Sequence, residues 1–403
     1  MLTNNRYHIC LLYQEYPPYT AWGGIGSYAA LLARSLVERG CKVTVVARSA
    51  DGAPHFERTS DGVDVYRVGG AVGRRRLLGR TVDRIFRSNE VASIVRTIDR
   101  VSPIDVLETG ESDLEARALL RDEKYSSRIL IQCHGSNAQG QAVRGLFRYL
   151  HKLDWVSSLR LETQILRGTS LISVPSRSTN DILIKQGVSS ERIRVVPHGV
   201  DISRFKPPEI FRADGPLRVG YIGRLEVRKG IDYVWRVIEG LQASTDVHFD
   251  LVGMIHPELR ADARVRLGRY AKCVSHTERI PHDEMPSFMR RLDVLLLPSR
   301  SESFGLTYAE AMATRLLVIA GRGGAGPEIV NHGESGFTVD ADDDEKSTVE
   351  LLRLFAGNRH KFDAIRTAGQ LRIVNCFSCD RWVSQKLKLF DELLGKGIAL
   401  KSR

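Results

Sequence analysis

The sequence is poor in the features that place a chain outside ordinary globular proteins. Its 403 residues include only six cysteines, scattered without framework spacing, so a disulfide scaffold is excluded. The lone Cys-x-x-Cys pair, Cys376 and Cys379, lacks the second pair that a zinc site of this kind needs. Uninterrupted apolar runs are strand-sized, and none is long enough to be a membrane span or the core of a signal peptide. We therefore expect reduced thiols and a cytoplasmic protein.

What is present fits a folded chain with a basic surface. Apolar residues make up 42% of the sequence, and 59 Lys and Arg against 48 Asp and Glu give a net charge of +11. At about 150 residues per domain, the length predicts two to three domains, each large enough for a core of its own. A two-domain enzyme is the first interpretation.

The basic charge is concentrated in residues 67–100, which contain nine arginines interleaved with apolar residues. One interpretation is an amphipathic surface that meets anionic lipid at the inner face of the cell membrane. The other is an ordinary helix with a solvated arginine face, and the sequence favours neither. No nucleic-acid-binding motif accompanies the charge, so we expect no nucleic-acid partner.

Short apolar runs alternate with longer helical patterns along most of the chain, which is typical of parallel βαβ units. The pattern restarts past the middle, so we predict an α/β protein with two Rossmann-like, doubly wound domains facing across a cleft. Residues 205–216, rich in Pro and Gly, are predicted to be a linker. The first domain then covers residues 1–204 with a returning helix at 378–403, and the second covers 217–377. Such a cleft is the expected active site.

A glycine turn with two cations follows the first predicted strand of the second domain. Gly223 allows a close backbone approach, and Arg224 and Lys229 can reach one anion from either side of the turn. The arrangement suits a diphosphate. Taken alone, it also fits an arginine in a surface salt bridge.

A second constellation follows the predicted strand over residues 293–297. A helix that opens near Gly305 would present the N–H groups of Gly305, Leu306 and Thr307 to an anion. Glu302 and Glu310 bracket this anion site, where they can accept protons from sugar or ribose hydroxyls. The alternatives are charge complementarity at the helix terminus for Glu302 and a surface helix position for Glu310.

Taken together, these motifs resemble those of the family 4 retaining glycosyltransferases of the GT-B fold. The Glu302 and Glu310 spacing, with the Arg224 and Lys229 pair upstream, carries most of the resemblance. Further matches run along almost the whole chain: Gly23-Gly24-Ile25-Gly26, His134-Gly135, Pro197-His198-Gly199-Val200-Asp201 and Gly323-Gly324 with Glu328.

The resemblance implies a role for each matching residue. Arg224 and Lys229 would bind the donor diphosphate and stabilise the leaving nucleotide, Glu302 would contact the transferred sugar, and His134 would line the sugar site. Glu310 would hold the nucleotide ribose. The implied donor-binding set is Gly23, Gly24, Gly223, Arg224, Lys229, Gly253, Ile280, Glu302, Phe304, Gly305, Leu306, Thr307 and Glu310. For His134, a structural role at a strand end stays open.

The implied reaction is metal-independent transfer of a hexosyl unit, with retention, from a nucleoside-diphosphate sugar to an acceptor hydroxyl. We expect a UDP or GDP sugar as co-substrate, no cofactor and no metal, and a sugar, lipid-linked or polysaccharide-precursor acceptor in cell-surface polysaccharide or glycolipid biosynthesis. The acidic residues at 340–345 are interpreted as a helix-capping loop. An epimerase or hydrolase of the same fold, or an inactive nucleotide-sugar-binding subunit, stays open.

The sequence departs from the family pattern after the helix that carries Glu310. The family has a Gly-x-Pro there, and this chain has Arg315 and Leu317 in the places of the Gly and the Pro. We expect Arg315 to interact with the last carbonyls of that helix.

Overall fold

The chain divides into two compact units in the computed structural model. The first unit comprises Met1–Pro197 and Trp382–Arg403, and the second comprises His198–Arg381. The structure describes residues 6–20, 24–69, 80–111, 114–135, 148–211, 215–241, 246–343 and 345–395. No helix among them combines the length and apolar character needed to cross a bilayer.

An eight-stranded sheet forms the first unit, in the order β3-β4-β2-β1-β5-β6-β7-β8. All neighbouring strands are parallel except β3, which runs antiparallel to β4 at the edge. The strands are β1 (His8–Leu12), β2 (Lys42–Arg48), β3 (His55–Arg58), β4 (Asp64–Val68), β5 (Val106–Gly110), β6 (Ile129–Gln132), β7 (Leu171–Val174) and β8 (Ile193–Val195).

Both faces of this sheet are covered, as a parallel sheet requires. Along β1, Ile9 and Leu11 contribute to one apolar core, whereas Cys10 and Leu12 contribute to the other. This alternation follows the period of two residues along a strand. The helices of the unit are α1 (Gly24–Glu38), α2 (Arg80–Val101), α3 (Glu123–Ser126), α4 (Arg148–Gly168) and α5 (Arg177–Lys185).

A six-stranded parallel sheet forms the second unit, in the order β11-β10-β9-β12-β13-β14. The strands are β9 (Leu217–Ile222), β10 (Val247–Val252), β11 (Val274–Thr277), β12 (Val294–Leu297), β13 (Leu317–Gly321) and β14 (Phe337–Val339). Renumbered from the first strand of the unit, this is the 3-2-1-4-5-6 order of the doubly wound nucleotide-binding fold.

One continuous apolar core holds this second sheet and its helices together. The four residues of β12 are all buried, as expected for a central strand of a parallel sheet. The helices are α6 (Ile231–Leu241), α7 (Arg260–Arg269), α8 (Met285–Met289), α9 (Leu306–Ala313), α10 (Gly326–Ile329), α11 (Lys346–Gly357) and α12 (Asp363–Cys376). A last helix, α13 (Cys379–Leu393), begins in the second unit and continues into the first.

The boundaries of the two units differ from the expected domain boundaries. The second unit begins at His198, whereas the sequence placed residues up to 204 in the first domain and residues 205–216 in a linker. Val200 and Phe205 are buried in the core of the second unit, which explains the earlier start. On the return path, the first unit resumes at Trp382 rather than at residue 378, because Phe377 also belongs to the second core.

Candidate functional site

The strand order of the second unit places two predicted motifs side by side. Strands β9 and β12 are neighbours, with β10 beyond one and β13 beyond the other. The chain therefore reverses its winding direction between β9 and β12, and open α/β sheets bind ligands at the carboxyl ends of such a pair. Gly223 and Arg224 follow β9 there, and Pro298 follows β12.

A short 3-10 turn, Val227–Lys229, brings the two loops into contact. Gly230 ends the turn in the left-handed conformation, with φ of 75°. A β-carbon at this position would lie 2.1 Å from the carbonyl oxygen of Pro298. Only glycine fits this close approach, and it sets Lys229 against the loop after β12.

Lys229 and Glu302 form an ion pair across these two loops. The ammonium Nζ lies 2.6 Å from the carboxylate Oε1, and the two side chains are 17% and 11% exposed. The pair was not predicted, because the sequence assigned the lysine to the diphosphate and the glutamate to the sugar. The cation and the acid therefore neutralise each other in this structure.

Arg224 lies in a more exposed position than Lys229. Its side chain is 64% exposed, and its Nη2 is 3.5 Å from Glu226 Oε1. Arg228 donates to the same carboxylate oxygen from 2.8 Å. Glu226 was not predicted from the sequence, although its position between three cations is a signal that could have indicated it. Since exposed pairs of this kind contribute little, Arg224 can turn toward an anion at small cost.

The backbone of Glu302 is held from its other side by the loop before α10. The carbonyl oxygen of Glu302 accepts a hydrogen bond from Ala325 N at 2.9 Å. A β-carbon on Gly324, whose φ is 69°, would lie 2.2 Å from this oxygen. The glycine motif of residues 323–326 thus fixes the position of Glu302.

Helix α9 supplies the remaining predicted donor groups. Gly305 precedes the helix with φ of 93°, and the first N–H groups of a helix have no intrahelical acceptor. Tyr308 anchors the helix by donating to the Leu297 carbonyl at 2.8 Å. Glu310 is half-buried; desolvation raises the pKa of its carboxyl to about 8, although Arg204 acts in the opposite direction.

Other predicted donor positions have structural roles as well. A β-carbon on Gly253 would lie 2.0 Å from the Gly223 carbonyl oxygen, so these two glycines pack together. The ring of Phe304 is buried edge-on against His198, with centroids 5.2 Å apart. Ile280 packs partly buried against the same core. The Phe304 ring therefore belongs to the core.

In the first unit, His134 follows β6 and lies between two tyrosine rings. Its imidazole centroid is 5.6 Å from that of Tyr13 and 4.6 Å from that of Tyr28. Burial first, and then the nearby Lys386, lower the pKa of His134 to about 3, so the imidazole is neutral at physiological pH. The predicted glycine loop is described only from Gly24, the first residue of α1; Gly23 lies outside the described residues.

Glu111, which the sequence analysis missed, holds the backbone at His134. Its carboxylate accepts from His134 N at 3.0 Å and from Gly135 N at 2.9 Å. Burial, reinforced by the charge of Glu162, raises the pKa of Glu111 to about 7, whereas these hydrogen bonds lower it. A carboxylate that caps two N–H groups explains why the chain bends there.

The arginine-rich segment is not a uniform basic surface. Arg67 is buried and donates to the carbonyls of Tyr16 and Pro17, at 2.8 and 2.7 Å. Arg87 is held by Gln14 Oε1 at 2.6 Å. These two arginines are structural, and residues 70–79 of the segment lie outside the described residues.

Arg315 contacts the end of α9 through its backbone, because its N–H donates to the Met312 carbonyl at 2.9 Å, whereas its side chain binds elsewhere. Its backbone adopts a left-handed conformation, with φ of 66°, and its guanidinium donates to Thr367 Oγ1 at 2.6 Å. It also lies over the ring of Phe211. The left-handed backbone directs the side chain toward α12 instead.

The acidic loop after β14 is engaged in protein contacts. Asp342 accepts from the Arg300 guanidinium at 2.8 Å, and Asp340 accepts from the backbone N–H of Asp342 at 3.0 Å. Within the described part of the chain, no group of three His, Cys, Asp or Glu side chains is placed to hold a metal ion.

Comparisons with known proteins identify the family and the fold. The profile described as Glycosyl transferases group 1 matches residues 216–356, and that of Glycosyltransferase Family 4 matches residues 22–204. The chain belongs to this glycosyltransferase family. Sucrose-phosphate synthase from Thermosynechococcus elongatus has the same GT-B fold, with a TM-score of 0.80, 20% identity, and coverage of 97% of this chain and 100% of the synthase.

Two curated relatives are mannosyltransferases by name. The GDP-mannose-dependent alpha-(1-6)-phosphatidylinositol monomannoside mannosyltransferase of Mycobacterium tuberculosis is 26% identical, over 97% of this chain and 99% of its own length. The MMP alpha-(1->4)-mannosyltransferase of Mycolicibacterium hassiacum is 27% identical, over 60% of this chain and 59% of its own length.

Proposed function

We propose that this glycosyltransferase moves a hexosyl unit, with mannose from GDP-mannose as the first candidate, to an acceptor hydroxyl. The supporting observation is the Lys229 and Glu302 pair at the carboxyl ends of β9 and β12, with Glu310 on the helix that follows. A diphosphate would replace Glu302 as the partner of Lys229. The Glu302 carboxylate would then accept hydrogen bonds from hydroxyls of the sugar.

Leaving-group stabilisation is the main catalytic contribution in this proposal, because negative charge develops on the departing diphosphate. Lys229, Arg224 and the first turn of α9 would supply the positive field. The reaction would then need no metal ion to stabilise the leaving group. We also propose retention at the anomeric carbon, as the resemblance to retaining glycosyltransferases implies. His134 would bind the sugar as a neutral imidazole, acting as a hydrogen-bonding group rather than as an acid.

The proposed acceptor is a glycolipid or polysaccharide precursor of the cell surface, met at the inner face of the membrane. The name of the Mycobacterium tuberculosis relative, which includes a phosphatidylinositol monomannoside, supports this choice, as does the net charge of +11. Anionic lipid attracts a basic protein within a Debye length of the surface.

The test is transfer in EDTA from GDP-mannose, UDP-glucose or ADP-glucose, with octyl α-mannoside or phosphatidylinositol vesicles as acceptor. We expect one donor to be consumed only when an acceptor is present, and proton NMR of the product to show the anomeric configuration of the donor. Equal donor turnover without an acceptor would favour an epimerase or hydrolase. Donor binding without any turnover would favour an inactive binding subunit.

A further inference from the structure

A buried ion pair lies in the core of the first unit, outside the donor-binding groups. Lys386 on α13 and Glu108 on β5 are both fully buried, with Nζ 3.0 Å from Oε2. Lys386 also donates to Gln132 Oε1, on β6, at 2.6 Å. The two residues are 278 positions apart in the sequence, so the returning helix brings its own charge to the sheet.

The other carboxylate oxygen of Glu108 accepts hydrogen bonds from two tyrosines. Tyr28 donates to Oε1 from 2.6 Å and Tyr13 donates from 3.0 Å. The carboxylate therefore accepts from three donors, which belong to α13, α1 and the loop after β1. Each of these hydrogen bonds fixes the orientation of the side chain that donates it.

Fold stability alone is a poor explanation for this network. Desolvating two charges is costly, and replacing a buried pair with packed apolar side chains is often neutral or stabilising. A buried ionic group can instead specify one arrangement of the elements around it. Here that arrangement includes the rings of Tyr13 and Tyr28, the two rings that flank the His134 imidazole.

We propose that Glu108 and Lys386 are positioning residues, which hold the Tyr13 and Tyr28 rings and, through them, the imidazole of His134. The inference rests on the proposed function, in which His134 binds the transferred sugar. It gives the C-terminal helix a role in the reaction: α13 sets the geometry at the carboxyl ends of β1 and β6. Trp382, one turn earlier on α13, packs edge-on against Tyr28 at 5.1 Å and supports the same ring.

The charge of Lys386 also acts on His134, in addition to the contacts through the two tyrosine rings. The buried ammonium of Lys386 opposes a second positive charge on the imidazole, and its effect adds to that of burial on the pKa of His134. Among the described residues, Tyr13 and Tyr28 flank the imidazole, Glu111 binds the His134 backbone, and Lys386 acts on the imidazole through its charge, with Glu108 behind the tyrosine rings.

The first test observes His134 directly, by nitrogen-15 NMR of protein labelled in histidine, with the His134 signals identified by their loss in His134→Ala. We expect Tyr28→Phe and the double variant Glu108→Gln with Lys386→Met to shift these signals. Tyr125→Phe is the matched control, because Tyr125 also donates from a buried site to a carboxylate, Asp99, at 3.1 Å. Unchanged His134 signals in Tyr28→Phe would overturn the proposal, even if the double variant does not fold.

The second test is a double-mutant cycle on turnover, followed as GDP released from GDP-mannose in the presence of octyl α-mannoside. Tyr28→Phe should lower kcat about tenfold, since small misplacements of catalytic groups have effects of this order or larger. In a His134→Ala background, Tyr28→Phe should have no further effect. Additive losses would contradict the positioning role. A His134→Ala variant with full turnover would instead refute the proposed role of His134, so the two failures are distinguishable.

Discussion

Lys229 Nζ lies 2.6 Å from Glu302 Oε1, so the cation assigned to the diphosphate is paired with the acid assigned to the sugar. Both side chains are largely shielded from water, and their loops meet through the close approach of Gly230 to Pro298. In the proposed function, a donor diphosphate would therefore replace Glu302 as the partner of Lys229.

The first prediction concerns this exchange. Replacing Glu302 with Gln removes the competing charge, so GDP should bind roughly threefold to fivefold tighter, because a partly exposed ion pair contributes up to about 1 kcal/mol. The rate of sugar transfer should nevertheless fall, because a neutral glutamine cannot accept hydrogen bonds from the sugar hydroxyls as a charged carboxylate does. Calorimetry with GDP and a transfer assay on the same protein measure the two effects. Weaker GDP binding in Glu302→Gln would mean that the pair is not a competitor of the diphosphate.

The two cations should matter for the chemical step. Arg224→Ala and Lys229→Ala should each raise the transition-state barrier by about 2–4 kcal/mol, as the loss of one preorganised donor does at an oxyanion site. Lys272→Ala, at an exposed position remote from the motifs, is the control and should leave kcat unchanged. Turnover close to that of the unmodified protein in both variants would refute the assignment.

The Glu310 carboxyl should make the free energy of unfolding fall as the pH rises. Its pKa is raised to about 8 by desolvation, so between the ordinary value of 4.5 and about 8 the folded state holds a proton that the unfolded state has released. The contribution of the protonated carboxyl to the free energy of unfolding is fully present below pH 4.5 and is lost as the pH rises through 8. Melting temperatures across pH 5.5 to 9 should fall more steeply for the unmodified protein than for Glu310→Gln. Parallel curves would contradict the shifted pKa.

Gly324 should be intolerant of a side chain because of its contact with Glu302. In Gly333→Ala, where φ is 79° and no atom lies within 4 Å of the new β-carbon, the left-handed alanine should cost about 1–2 kcal/mol. Gly324→Ala carries the same penalty and also forces Glu302 to move, so it should be less stable and should lose transfer activity. Denaturant unfolding measures the stability of the two variants, and kcat measures their transfer activity. Equal losses in Gly324→Ala and Gly333→Ala would refute the contact between Gly324 and Glu302.

The sequence predicted two parallel sheets of alternating strands and helices, because apolar periodicity depends on local residues. Edge strand β3 was missed, since its four residues are mostly exposed and lack a buried face. Partnerships between distant residues were also missed. No local pattern shows that Lys386 reaches Glu108, or that Lys229 pairs with Glu302, because each contact depends on the sheet order rather than on spacing.

Differences near the unit boundary have a similar origin. The Pro and Gly content of residues 205–216 is typical of a linker, but Phe205 and Val200 contribute to the second core. Likewise, the arginines of residues 67–100 indicate a basic surface, yet Arg67 is buried on backbone carbonyls. Composition reports which residues are present and cannot report which of them are buried.

The most direct measurement of the central claim is calorimetric titration of the protein with GDP, UDP and ADP in EDTA, alongside Glu310→Ala. We predict that one diphosphate, GDP first, binds without a metal ion and that Glu310→Ala weakens its binding, because the ribose loses the Glu310 carboxyl group as a hydrogen-bonding partner. Absence of binding by all three nucleotides, or equal binding by Glu310→Ala, would contradict the donor site proposed at the carboxyl ends of β9 and β12.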